Sequence, residues 1–118
     1  MTEKMWLAER HCMPCEGGTP PLSHERAEQL LTQLEPGWAL ESDKLVRRFR
    51  FRDFREAIAF VDDLARVAED EGHHPDLTIN YNRVRVELST HAIGGLSEND
   101  FILAAKIELL QPQLVATK

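Results

Sequence analysis

Three of the five histidines fall within a short stretch of the chain, at His73, His74 and His91. An imidazole changes charge near neutral pH, so a histidine can both give and take a proton. Neighbouring side chains such as those of His73 and His74 diverge, which argues against a shared zinc ion. The three residues therefore favour metal-free acid–base catalysis. A metal-dependent hydrolase and a structural pair of loop histidines are the alternatives.

Two acidic residues are spaced to reach the same histidines. Glu69 lies four residues before His73, in the last turn of a predicted helix, and Asp100 lies in the first turn of another. A carboxylate that binds an imidazole fixes its tautomer, which defines the nitrogen that is left for chemistry. Glu69 and Asp100 are thus candidate site residues. His11 and His24 have no such neighbours, and we expect them at the surface.

A predicted hairpin brings the histidines together. Apolar and polar residues alternate in two runs, the first with Leu77, Ile79 and Tyr81 and the second with Val84, Val86 and Leu88. We predict two half-buried strands around an Asn82-Arg83 turn. Continuing that register places His74 opposite His91, with His73 beside them on the loop that leaves the preceding helix.

The remaining elements predict the fold class. Ser23 and Asp53 are candidate helix N-caps, Ser97 and Asp100 form a candidate capping box, and Gly72 is a helix stop. Alternation over residues 38–42 and 44–51 predicts two further strands. The order α-β-β-α-β-β-α indicates an α+β fold, a four-stranded antiparallel sheet with three helices packed on one face. Gly94 and Gly95 are expected to loosen the chain before the last helix.

The last predicted helix, residues 98–111, is apolar almost all round. Such a helix is usually covered on more than one side. One side would meet the sheet, and the other would meet a second subunit. We therefore expect a homodimer or homotetramer formed through the C-terminal helix.

Size and charge exclude several classes of protein. The chain has 118 residues and a net charge of −6, which suits one globular domain and argues against a nucleic-acid partner. Its basic cluster, residues 47–55, alternates with phenylalanine and is interpreted as a solvated strand face, with an anion contact as the alternative. The sequence has no long apolar run and no signal-peptide pattern, so we expect a cytoplasmic protein that does not bind membranes.

Residues 1–21 are predicted to form an irregular N-terminal arm, followed by one domain over residues 22–118. The arm contains a CxxC motif, Cys12-Met13-Pro14-Cys15, between glycine and proline residues that are typical of loops. A surface loop with reduced thiols is the favoured interpretation. A metal site and a redox site are the alternatives.

Taken together, the spaced residues resemble the signature of the pterin-4a-carbinolamine dehydratase family. The signature elements are Glu69-xxx-His73-His74-Pro75, Tyr81, His91 and Asp100. Ser89-Thr90-His91 and Gly95-Leu96-Ser97 are also similar to family members. The likeness covers roughly residues 22 to 112. Gly72 departs from the animal members, which commonly carry an acid there.

The resemblance implies an activity and a division of labour. The substrate would be the 4a-carbinolamine that aromatic amino-acid hydroxylases leave behind, and the products quinonoid dihydropterin and water. His73 and His91 would be the acid–base pair, and His74 would bind the pterin together with Glu69, Asp100 and the backbone around Ser89 and Thr90. No metal or redox cofactor would be needed. The alternative is a non-catalytic accessory or regulatory protein on the same fold.

Overall fold

The computed structural model describes residues 7–13 and 20–110 of the chain. The helices are α1 (His24–Leu31), α2 (Phe54–Glu71) and α3 (Glu98–Glu108), and the strands are β1 (Ala39–Glu41), β2 (Lys44–Arg50), β3 (Asp76–Asn80) and β4 (Arg83–Leu88). A short 3₁₀ turn, His91–Ile93, lies between β4 and α3. From residue 24 on, this order confirms the predicted α-β-β-α-β-β-α arrangement. Residues 7–9 are helical as well, so the prediction of an irregular N-terminal arm is wrong for these residues.

The helices begin and end where local signals place them. Ser23, Asp53 and Ser97 cap the three helices, each accepting a hydrogen bond from a backbone N–H of the first turn. Gly72 ends α2 with a φ of 65°, a left-handed conformation that glycine adopts at little cost. Helix α2 therefore stops immediately before His73.

The four strands form one antiparallel sheet in the order β1-β2-β4-β3. Its inner face is apolar, with Leu45, Phe49, Val84, Val86 and Leu88 all buried against the helices. On the opposite face Arg48 and Arg50 are exposed, as the alternation of arginine and phenylalanine predicted, although Val46 on that face is buried. Glu41 binds Arg48 on that face with an N–O distance of 3.0 Å.

The predicted hairpin register is wrong by two residues. Ile79 pairs with Val84, so the turn is formed by Tyr81 and Asn82 rather than by Asn82 and Arg83. The cause is a contact with the end of β2. The Asn82 carbonyl accepts from the Phe51 N–H at 2.7 Å, and the Asn82 amide donates to the Phe51 carbonyl at 2.9 Å. Extending the observed register places His74 opposite Ser89 instead of His91.

Helix α3 is buried within its own chain. This contradicts the expectation that one apolar side of the helix is left for a second subunit. Its apolar residues from Phe101 to Ala105, and Ile107, are at most 1% exposed. The N-terminal arm supplies part of the cover, because Leu7 and Ala8 belong to the same core cluster. The homo-oligomer stays a prediction, without this support. Among the described residues, no helix is long and apolar enough to cross a membrane.

Candidate active site

A cleft of about 480 Å³ opens where α2 and β4 end. Its lining includes all three predicted histidines and both predicted backbone positions, His73, His74, His91, Ser89 and Thr90. The other lining residues are Cys12, Met13, Glu71, Gly72, Ala92 and Asn99. The fold thus brings the histidines to one cleft even though the hairpin register differs from the predicted one.

His73 lies at the wall of this cleft and is held on two sides. Its backbone N–H donates to the Ala68 carbonyl at 3.2 Å, which closes the end of α2. Its side chain is 12% exposed, and Nε2 lies 2.6 Å from Oδ1 of Asp100. Because Nε2 is bound to the carboxylate, Nδ1 is the nitrogen that remains for a substrate.

Asp100 is fully buried and faces three donors. Besides His73, the hydroxyl of Thr90 and the backbone N–H of Ser97 both donate to Oδ2, each at 2.9 Å. A buried carboxylate is costly unless hydrogen bonds compensate for the lost water, and here three of them do. Asp100 also completes the capping box of α3 with Ser97, as predicted with aspartate in place of the usual glutamate.

His74 contacts the second predicted acid. Its Nε2 lies 2.5 Å from Oε2 of Glu69, but the two side chains are 59% and 75% exposed. An exposed pair of this kind contributes little to stability, because water solvates both partners when they separate. Glu69 and Asp100 are absent from the lining of the cleft. Asp100 lies buried behind His73, whereas Glu69 lies at the surface beside His74.

His91 stands at the mouth of the cleft with 76% of its side chain exposed. The loop that carries it is closed by a bridge in which the Thr90 N–H donates to the Gly95 carbonyl at 2.8 Å. Gly95 lies so close to Pro21 that a Cβ there would meet the proline Cβ at 2.8 Å. The expectation that Gly94 and Gly95 loosen the chain is therefore wrong for Gly95.

Thr90 lines the cleft, but its polar groups are already used within the protein. Its hydroxyl contacts Asp100 and Ser97, and its N–H binds Gly95. Thr90 therefore acts on the site by fixing Asp100. The adjacent Ser89 is half-buried, which leaves it accessible from the cleft.

The thiol of Cys12 lies in the cleft wall and is half-buried. Burial and the nearby Glu71 carboxylate raise the pKa of this thiol to about 12, so it is protonated at neutral pH. A reactive redox cysteine needs a lowered pKa, which Cys12 does not have. Cys15 lies outside the described residues, so the loop conformation expected for the CxxC motif stays a prediction. Over residues 7–13 and 20–110, no group of three or more His, Cys, Asp or Glu side chains could hold a metal ion.

Comparison with known proteins assigns this architecture to a family. A family model for pterin 4 alpha carbinolamine dehydratase matches residues 20–110. The chain belongs to the pterin-4a-carbinolamine dehydratase family. A protein of Nitrosomonas eutropha with a provisional pterin-4-alpha-carbinolamine dehydratase name is 54% identical over 110 residues, covering 93% of this chain and 97% of the relative. A Rickettsia bellii protein with the same provisional name is 48% identical over 112 residues, 94% of this chain and 99% of its own.

Two solved structures share the fold. A transcriptional coactivator/pterin dehydratase of Brucella melitensis matches with a TM-score of 0.72 and 34% identity, over 76% of this chain and 97% of that chain. A pterin dehydratase-like protein described as a RuBisCO assembly factor in the alpha-carboxysome matches with a TM-score of 0.52 and 27% identity. That match covers 62% of this chain and 84% of the other. The family fold therefore occurs in proteins that are described by more than one role.

Proposed function

We propose that the chain removes water from a 4a-hydroxy-tetrahydropterin and releases quinonoid dihydropterin. The observation that carries the proposal is the meeting of His73, His74 and His91 in one cleft, with Asp100 buried behind His73. In the reaction the C4a–O bond breaks, the leaving hydroxyl takes a proton, and N5 gives one up as the C4a–N5 double bond forms. The chemistry therefore needs one acid and one base and no electron transfer.

The surroundings of His73 suit the base. With Nε2–H donated to Asp100, the free Nδ1 can accept the N5 proton, and the buried carboxylate stabilises the imidazolium that results. Helix α2 and its cap at Gly72 fix the backbone on which the ring stands. A base that is held in one tautomer spends little energy on reorientation during the reaction.

The surroundings of His91 suit the acid. Its exposed side chain exchanges protons with water, so it can regain the proton that it gives to the leaving hydroxyl in each turnover. His74, which contacts the exposed Glu69, is assigned to pterin binding with Ser89. The proposal uses no metal and places the protein in the cytoplasm, where it would serve an aromatic amino-acid hydroxylase.

A stopped-flow assay of carbinolamine decay, with and without the protein, tests the activity. We expect acceleration that a chelator leaves unchanged. His73→Ala and His91→Ala should each lower kcat by about 10²-fold or more. His74→Ala should raise KM more than it lowers kcat, because it removes a contact that is made before the transition state. His24→Ala is the matched control, since His24 is exposed and lies outside the cleft.

The likeness to a RuBisCO assembly factor favours one alternative, a non-catalytic accessory protein on the same fold. Such a protein would bind a macromolecule and would not speed carbinolamine decay. If folded wild-type protein does not speed carbinolamine decay, the accessory function replaces the enzyme. If the three cleft variants remain folded by circular dichroism and keep near-normal turnover, the catalytic assignment of the histidines is wrong. Loss of activity on chelation, restored by zinc, would instead favour a metal-dependent site.

A further inference from the structure

The N-terminal arm is fastened to the helices that carry the site. Leu7 is fully buried, and the Ala8 carbonyl accepts a hydrogen bond from Nζ of Lys106 on α3 at 2.7 Å. These contacts fix the chain just before residues 11–13, which run past the cleft. The arm is thus part of the folded unit at this point, and Cys12 and Met13 enter the lining of the cleft from it.

Asn99 binds the backbone of Met13 on both sides. Its Oδ1 accepts from the Met13 N–H at 2.9 Å, and its Nδ2 donates to the Met13 carbonyl at 2.5 Å. A side-chain amide has both a donor and an acceptor, so it can bind the N–H and the C=O of one residue, as a neighbouring β-strand would. Asn99 is only 7% exposed and is the residue before Asp100. The first turn of α3 therefore positions both the carboxylate behind His73 and the backbone of Met13.

Glu71 binds residues 11 and 12 of the arm. Its carboxylate accepts from the Cys12 N–H at 2.7 Å and lies 2.9 Å from Nδ1 of His11, and Nζ of Lys106 is 3.6 Å away. The side chain is 6% exposed, so its charge is balanced by these partners rather than by bulk water. Two side chains on two different helices thus hold residues 11–13 against the cleft.

We propose that Cys12 and Met13 form the wall of the cleft that contacts the substituent on the pyrazine ring of the pterin, and that Asn99 and Glu71 position this wall. The inference rests on the proposed function, because it assumes that a pterin occupies the cleft. The histidines and Ser89 supply the polar groups of the site, whereas Met13 offers an exposed thioether, a flexible apolar contact. An alkyl-bearing ring edge is the part of a pterin that such a side chain complements.

Met13→Ala tests the contact with little risk to folding, because the residue is 66% exposed. We expect KM for a pterin with a 6-alkyl substituent to rise about 3- to 10-fold, while kcat stays within about 2-fold. The effect should disappear with a pterin that lacks the substituent. Phe54→Ala is the control, since Phe54 is 51% exposed at the far end of α2 from His73.

Asn99→Ala tests the positioning through a measurement that does not depend on turnover. In a Cys15→Ser background Cys12 is the single cysteine, and its alkylation by iodoacetamide reports whether the arm is docked. Releasing the arm should return the thiol towards its ordinary pKa and raise the alkylation rate about 10-fold or more. An oxidised pterin binds without reacting, and it should slow alkylation of Cys12 in the protein that retains Asn99. Asn82→Ala removes a similar amide–backbone contact at the hairpin turn and should leave the rate unchanged.

The outcomes separate this inference from the proposed function. If wild-type protein accelerates carbinolamine decay but Met13→Ala leaves KM unchanged for both pterins, the wall contact is wrong and the enzyme stands. An unchanged alkylation rate in Asn99→Ala removes the positioning role. If wild-type protein does not accelerate decay, and a bound pterin does not slow alkylation of Cys12 in the Cys15→Ser background, both proposals fail together.

Discussion

Replacing Asp100 by asparagine should change the tautomer of His73 while preserving the shape of the site. The asparagine oxygen can still accept from the Ser97 N–H and the Thr90 hydroxyl, both of which contact Oδ2 in the native protein. The amide nitrogen then faces Nε2 of His73, which the carboxylate binds at 2.6 Å. Since two donors repel, the imidazole must place its proton on Nδ1 and its lone pair on Nε2. The nitrogen assigned to accept the N5 proton is then occupied.

The magnitude follows from the contacts that are lost. A charge-assisted hydrogen bond contributes about 1.5–3 kcal/mol and a neutral one about 0.5–1.5 kcal/mol. Replacing the bonds to the Asp100 carboxylate by bonds to a neutral amide should therefore lower the free energy of unfolding by about 1–2 kcal/mol. For a chain of this size that corresponds to a fall in Tm of about 3–10 °C. The loss of a positioned base should lower kcat by about 10²-fold, with KM changed by less than about 3-fold.

Three measurements check the Asp100→Asn prediction. Stopped-flow kinetics across the neutral pH range give kcat and KM, calorimetry gives Tm, and nitrogen-15 NMR of the imidazole identifies the tautomer. Glu69→Gln is the matched control. It removes the exposed partner of His74, and we expect a change in Tm of less than about 2 °C. A folded Asp100→Asn protein with its proton on Nδ1 of His73 and with wild-type kcat would refute the assignment of His73 as the base.

Three further predictions concern stability and assembly. Burial by itself raises the pKa of Glu71, but its contacts with Cys12, His11 and Lys106 outweigh this and hold the pKa below the ordinary 4.5. The ionised Glu71 therefore stabilises the fold above pH 4.5, and this stabilisation is lost as pH falls through the folded-state pKa. Glu71→Gln should accordingly have a lower Tm than wild type at neutral pH, and the difference should shrink in acid, as calorimetry at several pH values would show. Gly95→Ala should lower the free energy of unfolding by about 1–3 kcal/mol in urea titrations, because its Cβ meets Pro21. Analytical ultracentrifugation should give a mass above 13.5 kDa if the chain forms the expected oligomer, and a clean monomer would contradict that expectation.

The elements and their ends were predictable because their signals are local. Ser23, Asp53 and Ser97 each satisfy a backbone N–H within three residues of themselves, and Gly72 adopts a conformation that its own lack of a Cβ permits. The contact between Asp100 and a histidine could also be anticipated, since both residues lie at helix ends that adjoin the predicted hairpin. Such features depend on few neighbours in space.

What could not be predicted depends on contacts between residues that are distant in sequence. The hairpin turn shifted because Asn82 binds Phe51, thirty-one positions earlier. The arm lies against the cleft because Glu71 and Asn99 bind the backbone of Cys12 and Met13, and neither contact leaves a periodic signal in the sequence. The CxxC motif drew attention to Cys12 but gave no indication of what the thiol would face.

The shared use of Asp100 by the capping box and by His73 has a consequence for how relatives of this chain diverge. A descendant that abandoned catalysis would still gain stability from the carboxylate at this position, because Asp100 accepts from the Ser97 N–H at the start of α3. Selection for folding alone would thus retain Asp100, while His73 and His91 would be free to drift. An aspartate at position 100 therefore carries no information about activity by itself. His73 and His91 are the positions at which active and inactive relatives should first differ.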